Sequence, residues 1–177
     1  MTIKQLISEI RCDLPIDKLR FKNFLFTYFF DASFRLLLNY RIGRYLSLKN
    51  NKISRFLGHY YKHKQYIKRG CIISYKAKLG RKINFPHPIG IVIGEGVIIE
   101  DGVRIWQQVT IGSHGKKDQN LEYPHIKEFA RIYAGAKIIG SVTIGRHAII
   151  GANAVVVKEV PDNAVVGGIP AKILTVV

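Results

Sequence analysis

Acidic residues are scarce. Twelve Asp and Glu stand against 28 Lys and Arg in 177 residues, a formal charge of +16. Cysteine is scarcer still: Cys12 and Cys71 lie in different regions, which excludes a disulfide framework or a cysteine metal motif and suits two reduced cytosolic thiols. No uninterrupted run of about 20 apolar residues exists, so no membrane span is expected. The richest stretch, residues 21–46, reads FKNFLFTYFFDASFRLLLNYRIGRYL and is broken by Asp31, Arg35, Asn39 and Arg41. The opening residues, MTIKQLISEI, lack the basic leader and apolar core of an export signal. No recognised nucleic-acid motif accompanies the positive charge, so nucleic acid is not an expected partner.

What is present is a period of six. An aliphatic or aromatic residue opens each hexad: Ile73, Leu79 and Phe85, then Ile93, Ile99, Ile105 and Ile111, then Ile126, Ile132, Ile138, Ile144, Ile150 and Val156. Four residues later comes a mostly small apolar residue: Ala77, Ile83, Ile89, Val97, Val103 and Val109, then Ala130, Ala136, Val142, Ala148, Ala154 and Val160. Gly follows the opener at positions 80, 94, 112, 145 and 151. A fixed short period is the mark of a solenoid. Each hexad reads as one short strand plus a turn, with Gly and Asn at turn positions that β-branched residues avoid. Three hexads close one triangular coil, and stacking buries what a single hexad cannot.

The register breaks twice. Eight residues separate Phe85 from Ile93, and fifteen separate Ile111 from Ile126. A regular coil has no reason to expel a loop, and loops leaving a rigid scaffold commonly carry function. Residues 1–70 show no hexads and hold 15 Lys or Arg against 4 acids, so the charge is concentrated ahead of the solenoid. Helices are expected around 17–30, around 33–48 with Ser33 as a candidate N-cap, and around 51–68, with joints at Pro15 and Asn50-Asn51. The division is a basic helical segment over 1–70, a β-helix over 71–160 with an excursion loop at 112–125, and a tail over 161–177 that Pro161-Asp162-Asn163 begins.

The stretches GIVIGEGVIIEDGVRIWQQVTIGS and IYAGAKIIGSVTIGRHAIIGANAVVVKEVPDNAVVGGIPAKI resemble the hexapeptide-repeat acyltransferases. The likeness covers about residues 71–175. It is closest to the serine acetyltransferase-like branch, which includes O-acetyltransferases of capsule and exopolysaccharide synthesis. The resemblance implies a left-handed parallel β-helix, mainly β with an N-terminal α-helical segment. It also implies a homotrimer, alone or as a pair of trimers, and acetyl-CoA as co-substrate with no metal.

The resemblance puts the catalytic histidine on His87. Transfer of an acetyl group to a hydroxyl needs a base, and imidazole has the pKa for it near neutrality. His87 sits between two prolines inside the eight-residue break; the alternative is a turn histidine with no role. Gly112 and Ser113, at the loop root, are candidate oxyanion donors. Glu95 is a candidate for orienting His87, or a solvated turn residue. The resemblance runs the coenzyme past Ala134 and Ala152, between two solenoids of the trimer, with Lys158 and Lys172 for its phosphates. Trp106, Gln107, Tyr123 and His125 are candidates for the acceptor site, Trp106 having the alternative of packing under the loop. His87, His114 and His125 do not have the spacing of the β-helix family that holds zinc with three histidines.

Three positions depart from the serine acetyltransferase pattern. Its orienting aspartate falls on Ile72, a second aspartate on Pro86, and a histidine that holds the amino acid on Tyr123. Unpaired substrate charges are costly, so the expected acceptor is a saccharide hydroxyl of a capsule or exopolysaccharide repeat or its precursor. Serine is the alternative acceptor, and a non-catalytic scaffold the alternative to any enzyme. The expected location is the cytoplasm, with peripheral contact to the inner face of the membrane through the aromatics and cations of residues 21–46.

Overall fold

A computed structural model describes residues 1–14, 21–115 and 122–176. Four helices come first: α1 (Ile3–Asp13), α2 (Phe21–Phe30), α3 (Ala32–Ser47) and α4 (Lys52–Arg69). Side-chain oxygens of Thr2, Asp31 and Asn51 cap α1, α3 and α4, satisfying N–H groups that have no partner inside the helix. The cap of α3 is therefore Asp31, not the expected Ser33, whose hydroxyl instead accepts the N–H of Phe85 at 2.8 Å. The sequence reading missed α1. The joint at Pro15 and residues 17–20 of the second expected helix lie outside the described residues.

The hexads then wind into a three-sided parallel prism. Its first face is β1 (Ile72–Ile73), β3 (Val92–Ile93), β6 (Thr110–Gly112), β9 (Lys137–Ile139) and β12 (Val155–Val156). The second is β2 (Lys78–Leu79), β4 (Ile98–Ile99), β7 (His125–Ile126) and β10 (Thr143–Ile144). The third is β5 (Arg104–Ile105), β8 (Arg131–Ile132), β11 (Ile149–Ile150) and β13 (Ala164–Gly167), with β14 (Lys172–Val176) antiparallel to β13. Every opener is buried and its predecessor faces outward or partly so, the alternation a strand imposes.

Two details of the hexad pattern are corrected. In the eight-residue break Ile89 is 65% exposed, and Ile91 takes the core place at 0%; the two extra residues shift the inward position along by two. The Gly after the opener is not the turn position either. The left-handed corners are held by Lys82, Gln108, Phe129, His147, Asn153 and Asn163 together with other glycines. Gly145 is required by close approach instead, since a Cβ there would meet the backbone of Pro161 and Asp162 in the next coil. Gly145→Ala should cost about 1–3 kcal/mol, read as a lower thermal unfolding midpoint.

The prism also runs past Val160. Pro161 and Asn163 occupy a corner, and β13 pairs with β11 in the regular register, Val165 opposite Ile149. The expected break at 161 is thus a turn into one more strand.

The lower end of the prism is covered by α3. Leu36, Leu37 and Tyr40 join the same core as the openers. The first coil leaves carbonyls with no strand beneath them, and buried polar backbone must be paired. The helices supply the donors. Arg41 donates to Leu79 O at 2.8 Å and to Gly80 O, Arg44 to Tyr75 O at 2.8 Å and to Ala77 O, and Tyr40 to Ala77 O at 2.6 Å. Gln65 of α4 accepts the N–H of Ile73 at 2.6 Å. Arg41 is neutralised by Asp13 at 2.9 Å and Glu9 at 3.3 Å.

Residues 21–46 therefore do not act as one interfacial segment. Their α3 half is core, and only α2 exposes aromatics, at Phe26, Phe29 and Phe30. Among the described residues no helix is long and apolar enough to cross a membrane.

Candidate active site

The corners of successive coils stack into straight edges, and the edges sort the candidate residues. Edge I is where the chain passes from the third face into the first. Its rungs are joined by backbone hydrogen bonds: Gly90 N to Gly70 O, Gln108 N to Ile89 O, Gly135 N to Gln107 O, and Asn153 N to Ala134 O, all 2.8 to 2.9 Å. At the top, Ala171 N reaches Val155 O at 2.8 Å, which brings Lys172 over the same edge. His87, Gln107, Ala134, Ala152 and Lys172, far apart in sequence, thus form one column with a rise of about 4.8 Å per coil.

His87 is exposed, held between the partly buried Pro86 and Pro88, and its carbonyl accepts the N–H of Ile89 at 2.8 Å. Proline fixes the backbone on both sides, so the ring is presented from a stiff corner. Beneath it, the Cys71 thiol lies 3.3 Å from Pro88 O and is pushed above its ordinary range by burial; Cys12 and Cys71 are both free thiols. On the next coil the Gln107 Oε1 is enclosed and meets no donor among the described residues. Trp106 stacks on Tyr133, centroids 4.5 Å apart and planes 20° from parallel. Its partner is thus the next rung of edge I.

Edge II is where the chain leaves the first face for the second, and it carries the rest. The excursion loop starts and ends there, with Gly112 and Ser113 at its root. The loop residues 116–121, including most of the segment expected to cover the cleft, lie outside the described residues. The Tyr123 ring lies over Gly94 and Gly96; a Cβ at Gly96 would collide with it, and one at Gly94 would press on it at 3.1 Å. Glu95 pairs with Lys76 at 2.8 Å, so its carboxylate is directed along edge II and does not orient His87 within the chain. Lys158 follows β12 on this side and is exposed. His125 stands on the second face, its Nε2 2.7 Å from Glu100 Oε1, while Glu100 Oε2 accepts the N–H of Glu128 at 3.2 Å. That pairing ties His125 to its own face, away from His87. The three histidines 87, 114 and 125 are accordingly not gathered.

The candidates of one chain thus fall into two groups on opposite borders of the first face. Edge I carries His87 and a column of small residues; edge II carries Gly112 and Ser113, Tyr123 and the loop root. A cleft of about 730 Å³ opens between α1, α3 and the third face, lined by Asp13, Lys82, Arg104, Phe129, Arg131 and His147 among others. It contains none of the candidate residues and is not the candidate site. The chemistry favours edge I over this cleft.

Sequence reasoning missed Arg35 and Arg69. The Nε atoms of both are enclosed without a hydrogen-bond partner. In sequence they are two cations among fifteen, and nothing there distinguishes them.

Residues 123–158 match the family model of the bacterial transferase hexapeptide (six repeats). The serine acetyltransferase of Haemophilus influenzae is 39% identical over 142 residues, 80% of this chain and 52% of the relative. A solved serine acetyltransferase in complex with cysteine superposes with a TM-score of 0.83 at 34% identity, covering 99% of this chain and 68% of that one. Another in complex with CoA gives 0.74 at 31%, covering 97% and 70%. The chain spans about half the length of the curated relatives it matches. The prism is the left-handed β-helix of those structures. The expected closeness to capsule and exopolysaccharide enzymes is not supported, because these relatives are serine acetyltransferases.

Proposed function

We propose, since the chain belongs to the serine acetyltransferase family of hexapeptide-repeat transferases, that it moves the acetyl group of acetyl-CoA to a hydroxyl oxygen, with L-serine as the acceptor. The observation that carries this reading is the column on edge I: an exposed, proline-braced histidine below a run of small residues at one corner of consecutive coils. His87 takes the hydroxyl proton as the oxygen bonds to the acetyl carbon. The resulting oxyanion is met by backbone N–H groups, with Gly112 and Ser113 as the candidates. The C–S bond then breaks, and the imidazolium returns its proton to the CoA sulfur. The products are an O-acetyl ester and the CoA thiol.

The reading requires a ring of three chains. Edge I and edge II border the same face, so within one chain they point apart. A threefold arrangement about the first face sets edge I of each chain against edge II of the next. The outward positions of that face support it: Ile72, Val92, Thr110 and Val155 carry no charge, and Lys137 is the one cation. Pantetheine then runs up edge I past Gln107, Ala134 and Ala152. Lys172 of that chain and Lys158 of its neighbour are the cations for the CoA phosphates. The reaction belongs in the cytoplasm, with its coenzyme.

A saccharide hydroxyl is the second acceptor reading, favoured by the apolar Ile72 and Pro86 beside His87 and by Tyr123 on the loop. Ile72 is 45% exposed on the first face, where a charged substrate group finds no partner from it. Release of CoA thiol separates the two. Turnover with L-serine at least tenfold above that with neutral oligosaccharides supports the first reading; the reverse order supports the second. Acetyl-CoA left intact by both removes the enzyme reading itself.

A further inference from the structure

We propose that α4 lies flat on an anionic membrane, its apolar face among the lipid chains and its flanking cations at the headgroup phosphates. The helix follows residues 21–46 and is a separate surface from the one expected there. Its packed side is fixed. Gly58 and Gln65 are buried. The Tyr61 carbonyl accepts the Asn39 side chain at 3.2 Å, and Gln65 bonds to Asn39 and to Ile73 N. With 3.6 residues per turn, Ile53, Phe56, Tyr60 and Ile67 project from the opposite side. They are open to solvent: Ile53 is 75% exposed, Phe56 73% and Ile67 62%.

The charge on this helix is of one sign. Its sequence, KISRFLGHYYKHKQYIKR, contains Lys and Arg at six positions and no acid. Arg55, His59 and Lys62 run along one flank of the apolar stripe, Lys64 and Lys68 along the other. Among the described residues no ion pair holds any of these side chains; Lys64 lies over the Tyr61 ring. Arg55, His59 and Lys62 also line a cleft of about 770 Å³ between α4, the end of α3 and the corner at 74–76. The other cations of that cleft are engaged, Arg44 by the Tyr75 and Ala77 carbonyls and Lys76 by Glu95. An exposed apolar stripe with cations on both flanks is the pattern of a helix that rests in a membrane interface: the stripe enters the acyl boundary while the flanks stay level with the phosphates.

Charge decides the occupant. A second copy that paired α4 against α4 would set six cations on six, with no acid from either helix to offset them. An acidic lipid surface supplies counter-charge along the whole helix, about 27 Å at 1.5 Å per residue, and acyl chains for the stripe. The inference does not depend on which acceptor receives the acetyl group.

The test is cosedimentation of the whole purified chain with vesicles of phosphatidylcholine, alone or mixed with phosphatidylglycerol. Wild type should bind the mixed vesicles and not phosphatidylcholine alone, and added salt should weaken the binding. Phe56→Gln with Ile67→Gln should lower the affinity by about tenfold or more. Arg55→Gln with Lys62→Gln should lower it about ten- to thirtyfold. Lys4→Gln with Arg11→Gln removes the same charge from exposed positions of α1 and should leave it within about threefold of wild type. All three pairs are exposed, so thermal midpoints should stay within about 3 °C of wild type. Absent binding, equal binding to both vesicle types, or binding that the Phe56 and Ile67 pair retains overturns the proposal. An equal loss in the α1 pair does the same, since net charge alone then explains the attraction. Sedimentation velocity without lipid completes the test. Wild type and the Phe56 and Ile67 pair should form the same assembly; a smaller one in the variant would mean that a second copy covers the stripe, which also overturns the proposal.

Discussion

Replacing His87 with alanine lowers turnover by about two to four orders of magnitude, while the dissociation constant for acetyl-CoA moves less than threefold. The asymmetry follows from geometry. The column that would hold the coenzyme is backbone and small side chains on the rungs above, bonded to one another and not to the imidazole. Removing the ring leaves those rungs in place and removes only the group that accepts the hydroxyl proton. Stability should hardly change, since His87 is exposed and its corner is set by Pro86, Pro88 and the Ile89 N–H. A turn histidine without a role would leave turnover untouched, and a scaffold would bind no acetyl-CoA. Steady-state release of CoA thiol, paired with calorimetric titration of CoA, separates these outcomes.

Arg41→Leu unfolds the chain more readily by about 3–5 kcal/mol. The buried guanidinium links α1, α3 and the first coil, and its loss strands the Asp13 carboxylate, whose side chain is 1% exposed. Burial already pushes the Asp13 carboxyl above its ordinary range, and the Arg41 hydrogen bond and charge pull it back. Without Arg41 the folded-state value climbs further from the unfolded value of about 4. The folded variant then holds the proton more tightly than the unfolded chain. Its deficit relative to wild type is full at neutral pH and shrinks as pH falls through the raised folded pKa towards 4. Denaturant unfolding at pH 4.5 and 7 reads the difference; an equal deficit at both would mean that Asp13 is not the stranded charge.

The prism was legible because period six is enforced locally. Each opener sees only the opener one coil away, so Ile73 through Val156 declare the core without any long-range information. Where the count slipped by two, periodicity misplaced Ile89 for Ile91, because sequence spacing does not say where the extra residues are absorbed. His87 was legible from its prolines and the broken register. The pairing of the other candidates was not. Glu95 and His125 look available in sequence, yet each is engaged by a partner brought by the coil above or below, Lys76 and Glu100. Arg35 and Arg69 belong to helices whose docking on the prism no repeat encodes, and Arg41 is distinguishable from them only by the carbonyls it meets.

Diffraction from crystals grown with CoA tests the central claim most directly. The thiol should lie against the His87 ring, with pantetheine rising past Gln107, Ala134 and Ala152 and edge II of a neighbouring chain closing the other side. CoA lodged in the cleft between α1, α3 and the third face, or a His87 ring open to solvent with no chain opposite, would contradict it.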